Sequence, residues 1–274
     1  MNPTIPSYGD LAFVLLILLS LGGYLCTVSL KDGLSVLKAA FRMIVQLGAV
    51  GFVLRYAMSA DNALIVGIMV LIMLIAASWE VFARQRKGKA IDILISGILP
   101  LIGVSCLFTL FALYVCLNVS PWYDVKVVVP LLGMILGNTL TCIAVTISLV
   151  HQGIEDNAEK IESRLALGET SQQAVFDIKK QALIVGLMIP LTNMLASSGI
   201  IILPGVMTGQ ILGGLSPIVA AKYQVFITLL IGCSSAAGAS LAARIATQRV
   251  FDDRHRLMVR DLPKSKLYNF VDQG

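Results

Sequence analysis

Charged side chains inside apolar segments are the first residues of this sequence that could do chemistry. Glu80 stands one helical turn before Arg84, and Arg42 stands one turn before Gln46. Ionisable groups are costly in lipid, so they often mark an ion pathway or an ion pair. Both sets also lie near the ends of their apolar segments, where long side chains can reach the surface. A pathway and a surface anchor therefore both remain open for these residues.

Uncharged polar residues within the apolar segments form a second group. Asn138, Thr139 and Thr141 share one segment, and Asn193 stands close to Pro190 in another. Such side chains usually hydrogen-bond to neighbouring helices. Pro190 removes an interior backbone hydrogen bond and predicts a kink. Asn138 and Asn193 are further candidates for lining a translocation path.

Several chemistries lack their characteristic residues in this sequence. It has no G-x-x-x-x-G-K-[ST] loop for ATP, no H-E-x-x-H helix and no G-x-S-x-G elbow. His151 and His255, the two histidines, lie in polar segments and are expected at the surface. No CxxC pair occurs, so the five cysteines are expected to be small packing residues: Cys26, Cys106, Cys116, Cys142 and Cys233. We expect no enzyme activity, no metal site and no cofactor bound by this chain.

The composition places these residues in a membrane protein. Hydrophobic residues make up 57% and charged residues 14% of the sequence, against about 25% charged in soluble domains. The net charge of +5 does not indicate nucleic acid, because the basic residues cluster at the ends of apolar segments. No basic residue precedes the first apolar segment, so an uncleaved first span is expected rather than a signal peptide.

Seven apolar segments predict an all-α, polytopic membrane protein, since a span needs about 20 apolar residues and lipid requires helices. The predicted spans are about 10–30, 36–58, 63–83, 91–117, 125–150, 182–203 and 218–243. Lys and Arg concentrate in loops 31–38 and 84–89 and after residue 243, which predicts an outside N-terminus and an inside C-terminus. We expect one transmembrane domain at 1–250 and a cytoplasmic tail at 251–274.

The polar insertion 151–181 is predicted to form a cytoplasmic helical hairpin. Gly168 is expected to end its first helix, and Thr170 with Gln173 fits a capping box that opens the second. The predicted apolar stripe of the first helix consists of Ile154, Ala158, Ile161 and Leu165. That of the second helix, which continues into the sixth span, consists of Ala174, Val175, Ile178 and Ala182.

Glu162 stands six residues before Gly168, in Glu162-Ser163-Arg164-Leu165-Ala166-Leu167-Gly168. This spacing resembles the EAA loop of ABC importer permeases, in which a short helix docks in a groove of the ATPase. The two alanines that follow the glutamate in that loop are replaced here by Ser163 and Arg164. The resemblance implies these coupling residues: Glu155, Glu162, Arg164, Leu165, Ala166, Leu167 and Gly168. An ordinary surface helix that ends in glycine is the alternative.

A second segment reads Leu203-Pro204-Gly205-Val206-Met207-Thr208-Gly209-Gln210-Ile211-Leu212-Gly213-Gly214-Leu215-Ser216-Pro217 and leads to Tyr223-Gln224. Together with the turn at Gly168, Pro190 and Asn193, it resembles the FetB-type permease family over about residues 10–250. These bacterial membrane subunits are linked to metal export and are similar to plant aluminium-tolerance proteins. The resemblance implies an inner-membrane ABC permease that exports an iron-like metal ion. It also implies a homodimer and a separate ATPase that binds ATP and Mg.

The glycines of this segment favour close helix packing. Gly205, Gly209 and Gly213 are spaced by four, so they would form one bare helix face. Alternatively, Met207, Thr208 and Gln210 contribute to a translocation path or a dimer contact. The segment 205–217 could be re-entrant, extracellular or part of a span.

Two other functions remain open. An ion-coupled secondary transporter would need carboxylates near the membrane midplane, and the clearest intramembrane carboxylate, Glu80, lies near a segment end. A membrane scaffold or sensor would use the 151–181 hairpin only as a docking site. Metal export rests on the family resemblance alone.

Overall fold

The computed structural model describes residues 7–60, 62–85, 90–199, 202–252 and 257. Apart from two isolated bridges, its secondary structure is helical. Six helices of this described part are long and apolar enough to span a membrane: Gly9–Val28, Gly33–Met58, Ala63–Arg84, Ala90–Cys116, Val125–Asp156 and Pro217–Arg249. An all-α, multi-pass membrane protein is thereby confirmed.

Residues Met1–Asn62 form a compact unit of their own. It contains α1 (Tyr8–Val28) and α2 (Leu30–Ala60), separated only by Ser29. The prediction of a loop at 31–38 is therefore wrong, because these residues already belong to α2. The tight turn brings the backbones of α1 and α2 together at Gly33, where a Cβ would lie 2.5 Å from the backbone nitrogen of Cys26.

The second unit, Ala63–Gly274, contains the other helices. Its first long helix is α3 (Ala63–Arg84). The span Ala90–Cys116 consists of α4 (Ala90–Ile93) and α5 (Leu99–Phe111) with π turns at Leu94–Ile98 and Ala112–Cys116. The remaining helices are α6 (Val125–Asp156), α7 (Ala158–Ala166), α8 (Ser171–Ala174), α9 (Phe176–Leu183), α10 (Ile189–Ser197), α11 (Gly205–Leu212) and α12 (Pro217–Arg249).

Helices α6 and α12 pack side by side in the same direction. The Thr139 hydroxyl donates to the Ser234 hydroxyl at 3.3 Å. A Cβ on Gly238 would meet both Thr139 and Ile143. Because contacts advance together along both sequences, the two helices are parallel, and the chain must return to its starting end between them.

The segment from α9 through α10 makes this return. Gly153 of α6 contacts Ile178, and Gly186 contacts Thr146, so this segment runs antiparallel to α6. It corresponds to the predicted span 182–203 but is not among the six long apolar helices. Its helix ends at Ser197 because the chain then turns at Gly199, which has a φ of 99°.

A π turn precedes proline both in this returning segment and in the span Ala90–Cys116. The π turn Ile184–Met188 ends two residues before Pro190, and the π turn Leu94–Ile98 ends two residues before Pro100. A π turn shifts the backbone hydrogen bonds by one residue, so the helix can continue where proline lacks an N–H. The structure therefore places a specific irregularity where the sequence predicted a kink.

Candidate functional site

The 151–181 hairpin lies where α6 and α12 end. Helix α6 has 32 residues and α12 has 33, which is about 48–50 Å at 1.5 Å per residue. A bilayer core is about 30 Å thick. The last turns of both helices therefore extend past one side of such a core, and the hairpin packs against them. We call this side of the second unit the hairpin end.

The hairpin begins later than the sequence predicted. Glu155 and Asp156 form the last turn of α6, and the backbone breaks at Asn157, which has a φ of −116°. The Asn157 amide donates to the Gly153 carbonyl at 2.8 Å. Glu155 is exposed on α6 rather than on the coupling helix.

Gly168 ends α7 as predicted, with a φ of +92° that favours glycine. Its N–H donates to the Leu165 carbonyl at 3.0 Å, and the Glu169 N–H donates to the Arg164 carbonyl at 3.1 Å. These two bonds form a Schellman motif. The turn is therefore closed by the backbone itself.

The predicted capping box follows directly. The Thr170 hydroxyl accepts from the Gln173 N–H at 3.4 Å, and the Gln173 side-chain oxygen accepts from the Thr170 N–H at 3.0 Å. The second helix is not continuous, however. Helix α8 ends after one turn, because Val175 leaves the helical conformation before α9 begins.

Arg164 joins the two sides of the hairpin. Its guanidinium donates to the Glu169 carboxylate at 2.7 Å, the Ala174 carbonyl at 3.1 Å and the Asp177 carboxylate at 3.2 Å. We call this set the Arg164 clamp. The sequence analysis gave Arg164 as a coupling residue but did not identify Glu169 and Asp177 as its partners. Their opposite charge across the turn was the available signal.

Beneath the hairpin lies a continuous apolar core. Ile154 and Ile161 are buried on one side of the turn, and Ala174 and Val175 on the other. They pack in one cluster with Val250 at the end of α12. Leu165, Ile178 and Ala182 belong to this cluster or pack against it. The predicted apolar stripe therefore faces inward and fixes the hairpin to the long helices.

The outer side of the hairpin presents an apolar tip. Leu167 is 84% exposed, more than any other large hydrophobic residue among those described. Glu162, Ala166 and Gly168 are also exposed there, whereas Arg164 and Leu165 are partly buried. The predicted coupling residues thus divide into an exposed tip and an inner group that holds its shape.

A cavity of about 440 Å³ with a mixed polar and apolar lining lies between the α6–α7 side and α9. Gln152, Asp156, Lys160, Asp177 and Gln181 line it. His151 is nearby but only 9% exposed, so the predicted surface position is wrong. His255 lies outside the described residues.

A second cavity, of about 680 Å³ and with a mostly apolar lining, lies at the opposite end and includes Asn193. The Gln224 side chain donates to the Thr228 hydroxyl at 3.0 Å. Its buried side-chain oxygen has no hydrogen-bond partner among the described residues. Gln224 and Thr228 were not among the predicted path residues, since they come together with Asn193 only through tertiary packing.

The other path candidates lie on three helices. Glu80 pairs with Arg84 at 3.4 Å, with both side chains partly exposed. Arg42 and Gln46 are exposed on α2 of the first unit. The exposed Asn138 amide donates to the Met134 carbonyl of its own helix at 2.8 Å. Glu80 and Asn138, both in the second unit, lie on different helices, α3 and α6.

The glycine face of α11 has no partner in the described part of this chain. A Cβ on Gly205 or Gly209 would meet no atom within 4 Å, and one on Gly213 would meet only carbonyl oxygens of its own helix. The close packing predicted here is therefore not formed with the described residues of this chain. Met207 lines an apolar cavity with Gln224.

The two polar side chains of α11 differ in their hydrogen bonding. The Thr208 hydroxyl donates to the Pro204 carbonyl at 3.3 Å. The Gln210 side-chain oxygen is buried and has no partner among the described residues.

No metal site is evident in the described part of the chain. It contains no group of three or more His, Cys, Asp or Glu side chains that could hold a metal ion. All five cysteines are free, and Cys142 is buried as a packing residue would be. Cys116 and Cys233 are exposed instead.

Comparison with known proteins gives consistent matches over most of the chain. Residues 8–251 match the Uncharacterised protein family (UPF0014). A UPF0014 membrane protein of Synechocystis is 32% identical, with coverage of 81% of this chain and 85% of the relative. The "Probable iron export permease protein FetB" of Escherichia coli is 28% identical, with coverage of 81% and 84%. "Protein ALUMINUM SENSITIVE 3" of Arabidopsis thaliana is 31% identical, with coverage of 82% and 80%.

No solved structure matches the chain. The family match covers both compact units, including the hairpin, the returning segment and α11. This chain belongs to the UPF0014 family of membrane proteins.

Proposed function

We propose that this chain is the permease subunit of an ABC transporter that exports metal ions. A separate ATPase subunit binds ATP and Mg and supplies the energy. The observation that carries the proposal is the exposed apolar tip at Leu167. The Arg164 clamp closes the hairpin that bears this tip, and the apolar core packs the hairpin on the ends of α6 and α12. A rigid, protruding apolar contact joined to long helices suits the transmission of force from a soluble partner.

The parallel packing of α6 and α12 supports the proposed membrane topology. If both helices cross the bilayer, the segment from α9 through α10 must cross once between them, so seven crossings are made with six long helices. Arg84, Arg244 and Arg249 then share the side of the hairpin, as basic residues on the cytoplasmic side would. The N-terminus is outside and the hairpin is in the cytoplasm.

The distribution of carboxylates favours an external energy source. Within the six candidate spans every acidic residue stands near a span end: Asp10, Glu80, Asp92, Glu155 and Asp156. A proton- or ion-coupled transporter usually carries ionisable groups within its spans along the ion path. An ATPase partner removes the need for such groups.

The translocation path is assigned to the cavity around Asn193, Gln224 and Thr228, with Gln210 as a further candidate. Two copies of the chain are expected in the inner membrane, with the open glycine face of α11 available to a second copy. The iron-like substrate and the outward direction are taken from the name of the Escherichia coli relative, a probable iron export permease. The region 1–250 acts as one permease domain, and 251–274 is its cytoplasmic tail.

Transport in inside-out vesicles tests this function. Vesicles that contain this chain and its ATP-binding cassette partner are expected to accumulate ferrous ion only when ATP is supplied. Vesicles that contain this chain alone are expected to accumulate none. ATP-independent accumulation driven by a proton gradient in the second preparation would overturn the proposal in favour of a secondary transporter.

A further inference from the structure

A third cleft, of about 630 Å³, separates the hairpin from the last turns of α12. Ser171, Gln172 and Lys179 line its hairpin side. Arg244, Gln248 and Asp252 line the opposite side. The cleft therefore lies between the hairpin and α12, which the apolar core holds together.

The two basic residues of the cleft differ from the paired arginines at the hairpin end. Arg84, Arg164 and Arg249 each form an ion pair. Lys179 and Arg244 form none with the described residues. Lys179 is partly buried and lies 5.8 Å from the centre of the Phe176 ring.

The chemistry of the lining suits an anion with several oxygens. Two cations face the cleft against one carboxylate, that of Asp252, which has a polar interaction of its own. Hydroxyl and amide donors of Ser171, Gln172 and Gln248 stand beside them. Arginine and lysine together with such donors form the usual lining of phosphate sites.

The depth of Arg244 in the membrane indicates a lipid head group, rather than a soluble ion, as the source of the phosphate. Helix α12 has no charged residue between Lys222 and Arg244. This interval spans about 33 Å at 1.5 Å per residue, close to the roughly 30 Å of a bilayer core. Lys222 and Arg244 therefore mark the two interfaces, and Arg244 lies at the level of the lipid head groups.

We propose that this cleft binds the phosphate group of an anionic phospholipid. Basic pockets at the cytoplasmic ends of membrane helices attract such head groups. A phosphate held by Lys179 and Arg244 ties the hairpin to α12 from outside the apolar core. The lipid thereby adds to the rigidity of the hairpin, whatever partner the hairpin serves.

Lipid retention by the purified protein tests the inference. Protein is incorporated in nanodiscs of phosphatidylcholine with roughly 20–30% phosphatidylglycerol, a fraction that supplies the negative surface that attracts basic residues. After transfer to detergent, native mass spectrometry counts the phosphatidylglycerol molecules that remain bound. The wild type is expected to retain this lipid. The K179Q/R244Q variant is expected to bind it about 30-fold more weakly, the equivalent of about 1 kcal/mol for each charged contact to the phosphate that is lost.

Matched variants make the result specific. K180Q/K222Q removes the same charge from exposed lysines that do not line the cleft and is expected to retain lipid as the wild type does. K179R/R244K keeps both charges and is expected to bind within a few fold of wild type. Equal retention by K179Q/R244Q and K180Q/K222Q overturns the inference.

Two further arms separate the other sources of an anion. Inorganic phosphate in phosphatidylcholine nanodiscs is expected to leave the thermal stability unchanged, and stabilisation equal to that by phosphatidylglycerol overturns the lipid assignment. Undiminished lipid binding by K179Q/R244Q with lost binding of the ATPase would instead assign the cleft to a protein contact and also overturn it.

Discussion

Replacing Arg164 with glutamine tests the clamp that shapes the hairpin. The change removes two ion pairs and one hydrogen bond to the Ala174 carbonyl. Asp177 is 72% exposed, so water screens its pair almost completely, and Glu169 is partly screened at 37%. The carbonyl bond and the Glu169 pair contribute about 1 kcal/mol each. The hairpin should therefore lose about 2 kcal/mol.

Hydrogen exchange measures this loss at defined amides. The Glu169 N–H bonds to the Arg164 carbonyl, and the Ala174 N–H bonds to the Thr170 carbonyl at 2.9 Å. A loss of about 2 kcal/mol should accelerate their exchange about 30-fold, since 1.4 kcal/mol is tenfold. Arg249→Gln is the matched control, because it breaks the Arg249–Asp92 pair at the same end without touching the turn. Equal exchange at these amides in both variants would refute the clamp.

Three other changes probe the turn, its tip and the topology. Gly168→Ala forces a side chain into a φ of +92° and should cost about 1–2 kcal/mol. Gly103→Ala in α5 meets open space and should not lower the thermal midpoint, so equal destabilisation by both would contradict the assigned turn. Leu167→Glu should weaken ATPase binding about 10- to 150-fold, the equivalent of about 1.5–3 kcal/mol for burying a leucine. Leu203→Glu, at an exposed leucine of the opposite end, should leave that affinity unchanged when both variants are titrated with the ATPase by calorimetry. In a variant without native cysteines, Ser163→Cys should react with an impermeant maleimide only from the cytoplasm and Leu203→Cys only from outside; labelling of both from one side would exclude seven crossings.

Local features of the fold were predictable because neighbouring residues determine them. The Gly168 turn and the Thr170–Gln173 box each depend on side chains within six residues. The long spans follow from uninterrupted apolar length. The loop at 31–38 was wrong because Lys31 and Lys38 are compatible with a helix, while only Ser29 marks the break.

Features that depend on tertiary packing were not predictable. The parallel packing of α6 and α12 rests on small contacts such as Thr139 with Ser234, which carry no sequence signal of direction. Arg164 finds Asp177 only after the hairpin folds. Asn193 was identified as a polar residue in a span, but its cavity with Gln224 requires the returning segment to lie beside α12.

Photo-crosslinking at position 167 tests the central claim most directly. A benzophenone amino acid replaces Leu167 in cells that also produce the ATP-binding cassette partner, and the same residue replaces Leu203 in a parallel strain. The account predicts a crosslinked ATPase–permease product from position 167 and none from position 203. A product from position 203, or none from position 167 while the two proteins still co-purify, would contradict it.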